Sequence, residues 1–239
     1  MSASTSDEFA LYCRGESGNC YKVALMLNLC GLAWHPRFVN FFDDTSKPAF
    51  RKEVSDMGEL PVLEGRGLVL SQSGVILTYL SETTGRFGAR SGEERREVLR
   101  WMLFDNHRFT PSYATLRFMK GIRKVEDNPV TEWLHGQAII AFDIAERRLG
   151  EHPFVAGDAP TIADISMCGY QYYDEASGID RGRYPNISSW LERIAALPGW
   201  AHPYDLMPRA IPSADRPGPA AQDTWPQPGA GAIDGRQAT

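Results

Sequence analysis

A proline at the start of a short apolar run, within the stretch from residue 57 to residue 80, restricts the fold of this 239-residue chain more than any other feature. Pro61 lies in the run Leu60–Leu63, a glycine-rich turn follows, and a second run, Leu68–Leu70, completes the pattern of a β-hairpin. Because proline has no backbone N–H, this position predicts a sheet edge, a bend or a cis peptide bond. A cis bond would leave the backbone groups of Leu60 able to pair with an outside peptide.

Two serines and a glutamine follow the hairpin, and the apolar residues after them have helical spacing. Ser71, Gln72 and Ser73 bring hydroxyls, an amide and unpaired N–H groups to a helix start, where a carboxylate binds well. The same residues also suit an ordinary hairpin followed by a helix N-cap, so both interpretations stay open at this point.

The residues before the hairpin alternate between strand and helix patterns. Phe9–Cys13 predicts a strand, residues 14–19 predict a turn, and the apolar spacing that follows predicts a helix ended by Gly31. Trp34–Phe42 predicts a second strand, and residues 43–56 an irregular or short helical segment. Together with the hairpin and its helix, this order predicts a βαβ unit followed by a ββα unit.

After a glycine-rich linker at residues 84–92, the pattern is helical almost throughout, with an interruption near Pro111. Thr161 and Asp164 have the spacing of a capping box at a helix start. We therefore predict an α+β domain of βαβ–ββα order over residues 8–85 and an all-α helical-bundle domain over residues 92–207.

The last part of the chain, residues 208–239, is rich in proline, glycine and alanine, and Trp225 is its one aromatic residue. Such a composition buries little apolar surface and predicts a flexible tail. The alternative is a segment around Trp225 that becomes ordered by docking.

Composition excludes several classes of function. A formal net charge of -5 and the lack of a Lys/Arg run argue against a nucleic-acid partner. No apolar run approaches the roughly 20 residues that cross a bilayer, and no signal peptide is recognisable. The four cysteines have no metal-type spacing, so we expect reduced thiols, no metal and a cytoplasmic protein.

Four motifs, in this order and spacing, resemble those of the cytosolic glutathione transferase superfamily, with its thioredoxin-like N-terminal domain and helical C-terminal domain. The motifs are the serine-type helix start Ser17–Val23, the cis-proline strand Glu59–Leu63, the pair Gln72–Ser73 and the capping box Thr161–Asp164. The resemblance is to serine-type, bacterial-like members and spans residues 9–206. A glutamate at position 59, close to the expected ligand, departs from the family pattern.

The resemblance implies that glutathione is a co-substrate and that the chain forms a homodimer. Ser17 would donate its hydroxyl to the glutathione thiolate, with Asn19 as a second donor. Gln72 and Ser73 would hold the γ-glutamyl end. The remaining expected contacts are the Leu60 backbone before Pro61, for the cysteinyl amide, and Lys47, for the glycyl carboxylate.

Such an enzyme must make a thiol reactive at neutral pH. A free cysteine thiol has a pKa near about 8.5, and lowering it by roughly two units takes about 2.7 kcal/mol in favour of the thiolate. A hydroxyl donor and the positive end of a helix supply energy of that order. Tyr12 is an alternative donor, and Cys20 an alternative nucleophile; we expect the first to be core and the second a packed thiol.

The second substrate, which we expect to be a small hydrophobic electrophile, would bind between the domains. The candidate pocket residues are Phe104, His107, Arg108 and Tyr113, and a cation reaching the cleft would instead favour an anionic or polar electrophile. The predicted activity is transfer of glutathione to the electrophile. The alternatives are a glutathione-dependent isomerase, an ether-cleaving enzyme or a peroxidase, or a glutathione-binding or protein-interaction module without turnover.

Overall fold

The computed structural model describes residues 8–41, 47–211, 216, 218–221 and 223–225. The N-terminal part consists of four strands and three helices in the predicted βαβ–ββα order. They are β1 (Phe9–Cys13), α1 (Gly18–Cys30), β2 (Trp34–Phe38), α2 (Lys47–Glu53), β3 (Val62–Gly65), β4 (Leu68–Ser71) and α3 (Ser73–Thr84).

These four strands form one mixed sheet in the order β4-β3-β1-β2. Strand β1 pairs in parallel with β2 and antiparallel with β3, and β3 pairs antiparallel with β4. The parallel β1–β2 pair requires a crossover, which α1 provides, whereas the tight turn at residues 66–67 suffices for β3 and β4. The predicted fold class is therefore confirmed for this part of the chain.

Three backbone features mark changes of chain direction between elements of the N-terminal part. Gly31 ends α1 in the left-handed conformation, with φ of 67°. The Leu60-Pro61 peptide bond is cis, one of the three outcomes predicted for this proline. Gln72 also has a positive φ, 68°, which turns the chain from β4 into α3.

The C-terminal part is helical, as predicted. Its helices are α4 (Gly92–Phe104), α5 (Thr110–Arg117), α6 (Pro129–Glu151), α7 (Ile162–Met167), α8 (Pro185–Ala195) and α9 (Pro203–Leu206). The predicted interruption near Pro111 is wrong, because a π-helical turn, Asp105–Phe109, joins α4 directly to α5. Pro111 follows this turn without a break in the helix, because the fixed φ of proline is compatible with helical backbone.

The predicted capping box at α7 is present. The Thr161 hydroxyl accepts the Ala163 N–H, while the Asp164 carboxylate accepts the Thr161 N–H at 2.8 Å. The same carboxylate also accepts bonds from the backbone of Val155 and the indole of Trp190, so it ties three segments together inside the helical part.

Part of the C-terminal segment returns to the sheet. Strand β5 (Asp223–Thr224) pairs in parallel with β2 at the sheet edge, and the side chain of Trp225 is buried. This corrects the prediction of a flexible tail for residues 208–211, which are hydrogen-bonded to the loop before α1, and for residues 223–225. Residues 212–215, 217, 222 and 226–239 of the predicted tail lie outside the described residues.

Candidate functional site

Two adjoining cavities of about 480 and 540 Å³ lie where the ends of α1 and α3 face the helical part. Asn19, Glu59 and Leu60 line both cavities, so the two form one continuous cleft. Each falls within the usual size of a small-molecule site, roughly 300–1,000 Å³.

The first cavity contains the residues that the hairpin motif predicted. Leu60, Pro61, Gln72 and Ser73 all line it. Ser73 is the first residue of α3, whose start carries unpaired N–H groups and the positive end of the helix dipole. The side chain of Gln72 makes no cap bond, so this helix end is open to an external carboxylate.

The side chain of Gln72 is hydrogen-bonded to the Glu59 carboxylate. Its Nε2 donates to Glu59 Oε2 at 3.1 Å, and to Met57 Sδ at 3.2 Å. Because the amide nitrogen is engaged in this way, its carbonyl oxygen is left as the free acceptor of that side chain. Glu59, the residue that departs from the family pattern, therefore lies against the predicted γ-glutamyl site.

Ser17 and Asn19 lie at the N-terminal end of α1 and face the second cavity. Ser17 is the N-cap of this helix, and its Oγ accepts the Cys20 N–H at 3.3 Å. The capping role uses a lone pair of the hydroxyl oxygen, which leaves its hydrogen able to donate to a ligand. The cap thus fixes the position of the hydroxyl at the positive end of α1.

Close packing beside Ser17 depends on a glycine. A Cβ atom at Gly18 would lie 2.4 Å from the ring of Tyr170 and 2.6 Å from the Gly169 carbonyl oxygen. The start of α1 therefore fits closely against the 3₁₀ turn Cys168–Tyr170, which brings the Tyr170 ring to the wall of the first cavity.

The second cavity is rich in positive charge. Lys47, at the start of α2, lines it together with Arg14 and Arg123, and Glu59 is the one carboxylate among the described residues that line it. Lys47 Nζ also lies 5.9 Å from the centre of the Phe41 ring. Lys47, the cation that the resemblance suggested, thus lines this cavity beside two arginines that were not predicted. Arg14 shares a loop with Ser17, whereas nothing in the sequence marks Arg123.

The two alternative groups for thiol chemistry face elsewhere. The Tyr12 hydroxyl donates to Glu64 and accepts from Arg37, and burial raises its pKa, so it is occupied and neutral. Cys20 is fully buried, and burial raises the pKa of its thiol, although contact with the Ser17 hydroxyl lowers it in part. Neither residue lines the cleft.

The predicted substrate-pocket residues do not line the cleft, which corrects that expectation. Tyr113 is only 2% exposed and packs on Phe142, and Phe104 packs on Trp101 and Phe109. His107 and Arg108 line a third cavity of about 380 Å³ between the π-helical turn, α5 and α6, which shares Pro111 and Thr115 with the first. The aromatic residues face the helical core because their apolar area is removed from water there.

Smaller and more polar residues form the helical wall of the site instead. Apart from one tyrosine, they form two adjacent rows with a spacing of four residues, at positions 106, 110 and 114 and at positions 111 and 115, and thus share one face of the helix that begins in the π-helical turn. They are Asn106, Thr110, Pro111, Ala114 and Thr115, together with Tyr170. An aromatic pattern could not reveal this wall, since none of its members on α5 is aromatic.

Within the described residues, no group of three or more His, Cys, Asp or Glu side chains is placed to hold a metal ion. No helix in the same part of the chain is long and apolar enough to cross a membrane.

Two family models match this chain. The model of the glutathione S-transferase N-terminal domain matches residues 16–83, and that of the C-terminal domain matches residues 115–198. A crystal structure of a glutathione S-transferase from Pseudomonas fluorescens Pf-5 is 32% identical and superposes with a TM-score of 0.76, covering 82% of this chain and 99% of that one. A second one, of a glutathione transferase family member from the same source with two glutathione bound, is 25% identical with a TM-score of 0.71, covering 82% and 92%.

The similar curated proteins differ in their named activities. A maleylacetoacetate isomerase of Rhizobium meliloti is 28% identical, over 83% of this chain and 97% of its own. The disulfide-bond oxidoreductase YfcG of Escherichia coli is 27% identical, over 70% and 75%. A glutathione S-transferase of Arabidopsis thaliana is 26% identical, over 73% and 74%.

Proposed function

Because this chain belongs to the glutathione S-transferase family, we propose that it is a glutathione transferase in which Ser17 stabilises the glutathione thiolate for attack on a small electrophile. The observation that carries the proposal is the shared cleft. It joins an open helix start at Ser73, a hydroxyl fixed at the positive end of α1 and a cationic end at Lys47.

The three parts match the three parts of glutathione. The γ-glutamyl carboxylate would bind at the start of α3, with the Gln72 carbonyl oxygen accepting from the ammonium group. The backbone of Leu60 would pair with the cysteinyl amide, and Lys47, with Arg14 and Arg123 beside it, would attract the glycyl carboxylate. The thiol would then lie near Asn19, which lines both cavities, with Ser17 in the second.

The residues of the helical wall support a revised class of electrophile. Asn106, Thr115 and Tyr170 bring an amide and two hydroxyl groups to the lining of the cleft, whereas the Thr110 hydroxyl is bonded to Asp105. These groups lose hydrogen bonds to water when an apolar ligand covers them, so a purely hydrophobic electrophile is disfavoured. We therefore expect an electrophile with polar substituents.

Calorimetric binding of glutathione, followed by conjugation assays with a panel of polar and apolar electrophiles, tests this proposal. We expect Ser17→Ala to bind glutathione about as tightly as the wild type and to lose roughly 10²–10³-fold in kcat, the usual effect of removing one donor to a developing or stabilised anion. Turnover unchanged in Ser17→Ala would disprove the role of this hydroxyl. The absence of glutathione binding to the wild type would reject the activity itself.

A second activity, reduction of disulfides by glutathione, is favoured by the double cavity. The cleft has two ligand-sized parts, and one similar structure holds two glutathione molecules. In such a reaction a bound thiolate attacks a disulfide sulfur and releases one thiol. A second glutathione then attacks the mixed disulfide, so that glutathione disulfide and a second thiol are the products. No protein cysteine is required, in keeping with the burial of Cys20.

The stoichiometry of binding separates the two activities. A transferase site takes one glutathione per chain and leaves space for the electrophile, whereas the disulfide reductase takes two glutathiones or one glutathione disulfide. Calorimetry with glutathione disulfide, coupled to a disulfide-reduction assay, measures this directly. If each chain binds one glutathione and no glutathione disulfide, the second activity is ruled out.

Apolar side chains on one face of α3 and α4 support a homodimer. Val75, Leu99 and Leu103 are exposed there, and they surround a surface cavity with Met102. A monomeric protein rarely exposes a contiguous group of large apolar residues. We expect sedimentation to give a dimer and Leu103→Glu to give a monomer.

The four cysteines form no disulfide, which supports a reducing compartment such as the cytoplasm.

A further inference from the structure

The chain continues beyond the part that the family models match, and this continuation contacts the candidate site. The C-terminal model match ends at residue 198, whereas described residues reach 225. After α9, residues 208–211 pass the loop that leads into α1, and residues 223–225 lie at the β2 edge of the sheet. We call these two groups of residues the C-terminal strap.

The first contact of the strap is with the loop before Ser17. The Gly15 N–H donates to the Pro208 carbonyl oxygen at 2.6 Å. The buried Glu16 carboxylate accepts the backbone N–H groups of Ala210, at 3.2 Å, and Ile211, at 2.8 Å, one on each oxygen. A carboxylate that receives two backbone donors on separate oxygens fixes the relative position of both segments.

The same loop is held from its other side by the helical part. The Arg117 guanidinium donates to the Glu16 carbonyl oxygen at 3.0 Å, and the Tyr173 hydroxyl to the Gly15 carbonyl oxygen at 2.7 Å. Arg117 is itself paired with Glu175 at 2.8 Å. The loop that ends at the Ser17 hydroxyl is therefore held between the helical part and the strap.

The second contact of the strap is made by Trp225, which packs against Phe50 of α2. Trp225 is 8% exposed and belongs to a small core with Tyr12, Val39, Phe50 and Val62. Its ring lies 5.7 Å from that of Phe50, between ring centres, and 6.2 Å from that of Tyr12. Its backbone N–H donates to the Phe38 carbonyl oxygen at 2.8 Å.

This small core anchors the helix that carries the cationic end of the cleft. Phe50 is the one buried residue of α2, so α2 has little other apolar area with which to bind the sheet. Lys47 lies one turn earlier on the same helix and lines the second cavity. The position of Lys47 thus depends on a contact that Trp225 completes.

We propose that the C-terminal strap is a positioning element of the glutathione site, in which Glu16 holds the Ser17 loop and Trp225 holds α2 with Lys47. The proposal rests on the proposed function. Glu16 and Trp225 are positioning residues, since neither lines the cleft. The contact of Glu16 affects the pKa of the bound thiol. The contact of Trp225 affects the binding of the glycyl carboxylate.

Trp225→Ala, made in the full-length chain, tests the second contact. We expect its KM for glutathione to rise about tenfold while kcat stays within about twofold, because binding weakens and the Ser17 hydroxyl stays in place. The preference for glutathione over its glycyl ethyl ester should fall by a similar factor. Trp225→Phe should restore both values, since the indole N–H has no partner within the described residues.

Trp133→Ala is the matched control. Trp133 is 63% exposed, lies on α6 and lines neither part of the glutathione cleft, so its loss removes an equally large ring without touching the strap. Both kinetic constants should stay at the wild-type values. If Trp225→Ala folds and keeps the wild-type KM and ester preference, the proposed role of Trp225 is wrong.

Glu16→Gln tests the first contact. An amide would present N–H to one of the two backbone donors, so one hydrogen bond is lost and the loop shifts. We expect the pKa of the bound thiol, read from the pH profile of kcat/KM, to move upward toward its free value in this variant alone. A pH profile identical to that of the wild type would contradict it. Absence of glutathione binding in the wild type would instead reject the proposed function, so the two failures are distinguishable.

Discussion

Lys22 Nζ lies 2.7 Å from Asp105 Oδ2, and both side chains are completely buried between α1 and the helical part. The carboxylate also accepts from the hydroxyls of Thr110 and Ser166, each at 2.6 Å. Lys22 follows the Ser17 cap by little more than one turn of α1, and Thr110 lines the cleft. The ion pair therefore fixes the two walls of the site relative to each other.

This ion pair coincides with the π-helical turn Asp105–Phe109. A π turn inserts one extra residue into a helix and often marks a functional site. Here it places Asp105 inward, against α1, and Asn106 and Thr110 toward the cleft.

Breaking the buried pair should destabilise the protein severely. We expect Asp105→Asn to lower the free energy of unfolding by about 3–5 kcal/mol, because it leaves the Lys22 ammonium buried without a counter-charge. Lys120 and Asp127 are the matched control, since their N–O distance is also 2.7 Å but both are partly or fully exposed. Asp127→Asn should cost at most about 1 kcal/mol. Urea unfolding of both variants measures the difference, and equal losses would contradict a special role for the buried pair.

Glu59 should determine recognition of the γ-glutamyl ammonium group. Its bond to Gln72 orients the amide, and its own charge lies in the same cleft. We expect the wild type to bind glutathione at least about tenfold more tightly than an analogue without the α-amino group, the order of one charged hydrogen bond. Glu59→Gln should lose most of this preference. A preference that survives the substitution would assign the ammonium group to another acceptor.

His202 should make stability depend on pH near neutrality. Its Nε2 bonds the Tyr172 carbonyl oxygen at 2.8 Å and its Nδ1 accepts the Tyr204 N–H at 3.2 Å, an arrangement that fits the neutral ring. Burial lowers its pKa, although the bond to Tyr172 acts in the opposite direction. The pKa of His202 in the folded protein thus lies below its unfolded value of about 6.5. The neutral ring therefore stabilises the fold at pH values above about 6.5.

As the pH falls from about 6.5 through the lower folded pKa, that contribution is lost. Chemical denaturation at a series of pH values should show the loss in the wild type and a flatter profile in His202→Gln. His107→Gln is the control, because that ring is exposed. A profile that His202→Gln leaves unaltered would place the pH dependence elsewhere.

The sequence was informative wherever a role depends on residues close together in the chain. Pro61, Gln72 and Ser73 could be located from one hairpin and one helix start, and the Ser17 loop from one strand–helix junction. The capping box of Thr161 is equally local. Each of these follows from hydrogen-bonding capacity at a defined position of a helix or strand.

The helical wall of the cleft was not predictable in this way. An extra residue in the π turn shifts the helix face that reaches the cleft, so the aromatic residues expected there face the core instead. Strand β5 was missed for a different reason. It has two residues, and its pairing depends on a partner some 185 positions earlier in the chain, which local periodicity does not show.

The pKa of the glutathione thiol bound to the wild type and to Ser17→Ala, followed by ultraviolet absorbance of the thiolate, tests the proposed role of the α1 terminus most directly. We expect the wild type to lower the thiol pKa by about two units from roughly 8.5. In Ser17→Ala, most of this lowering should be lost, so that the thiol pKa lies close to its free value. A bound thiol that titrates like free glutathione in the wild type, or equally low in both proteins, would contradict thiolate stabilisation by Ser17.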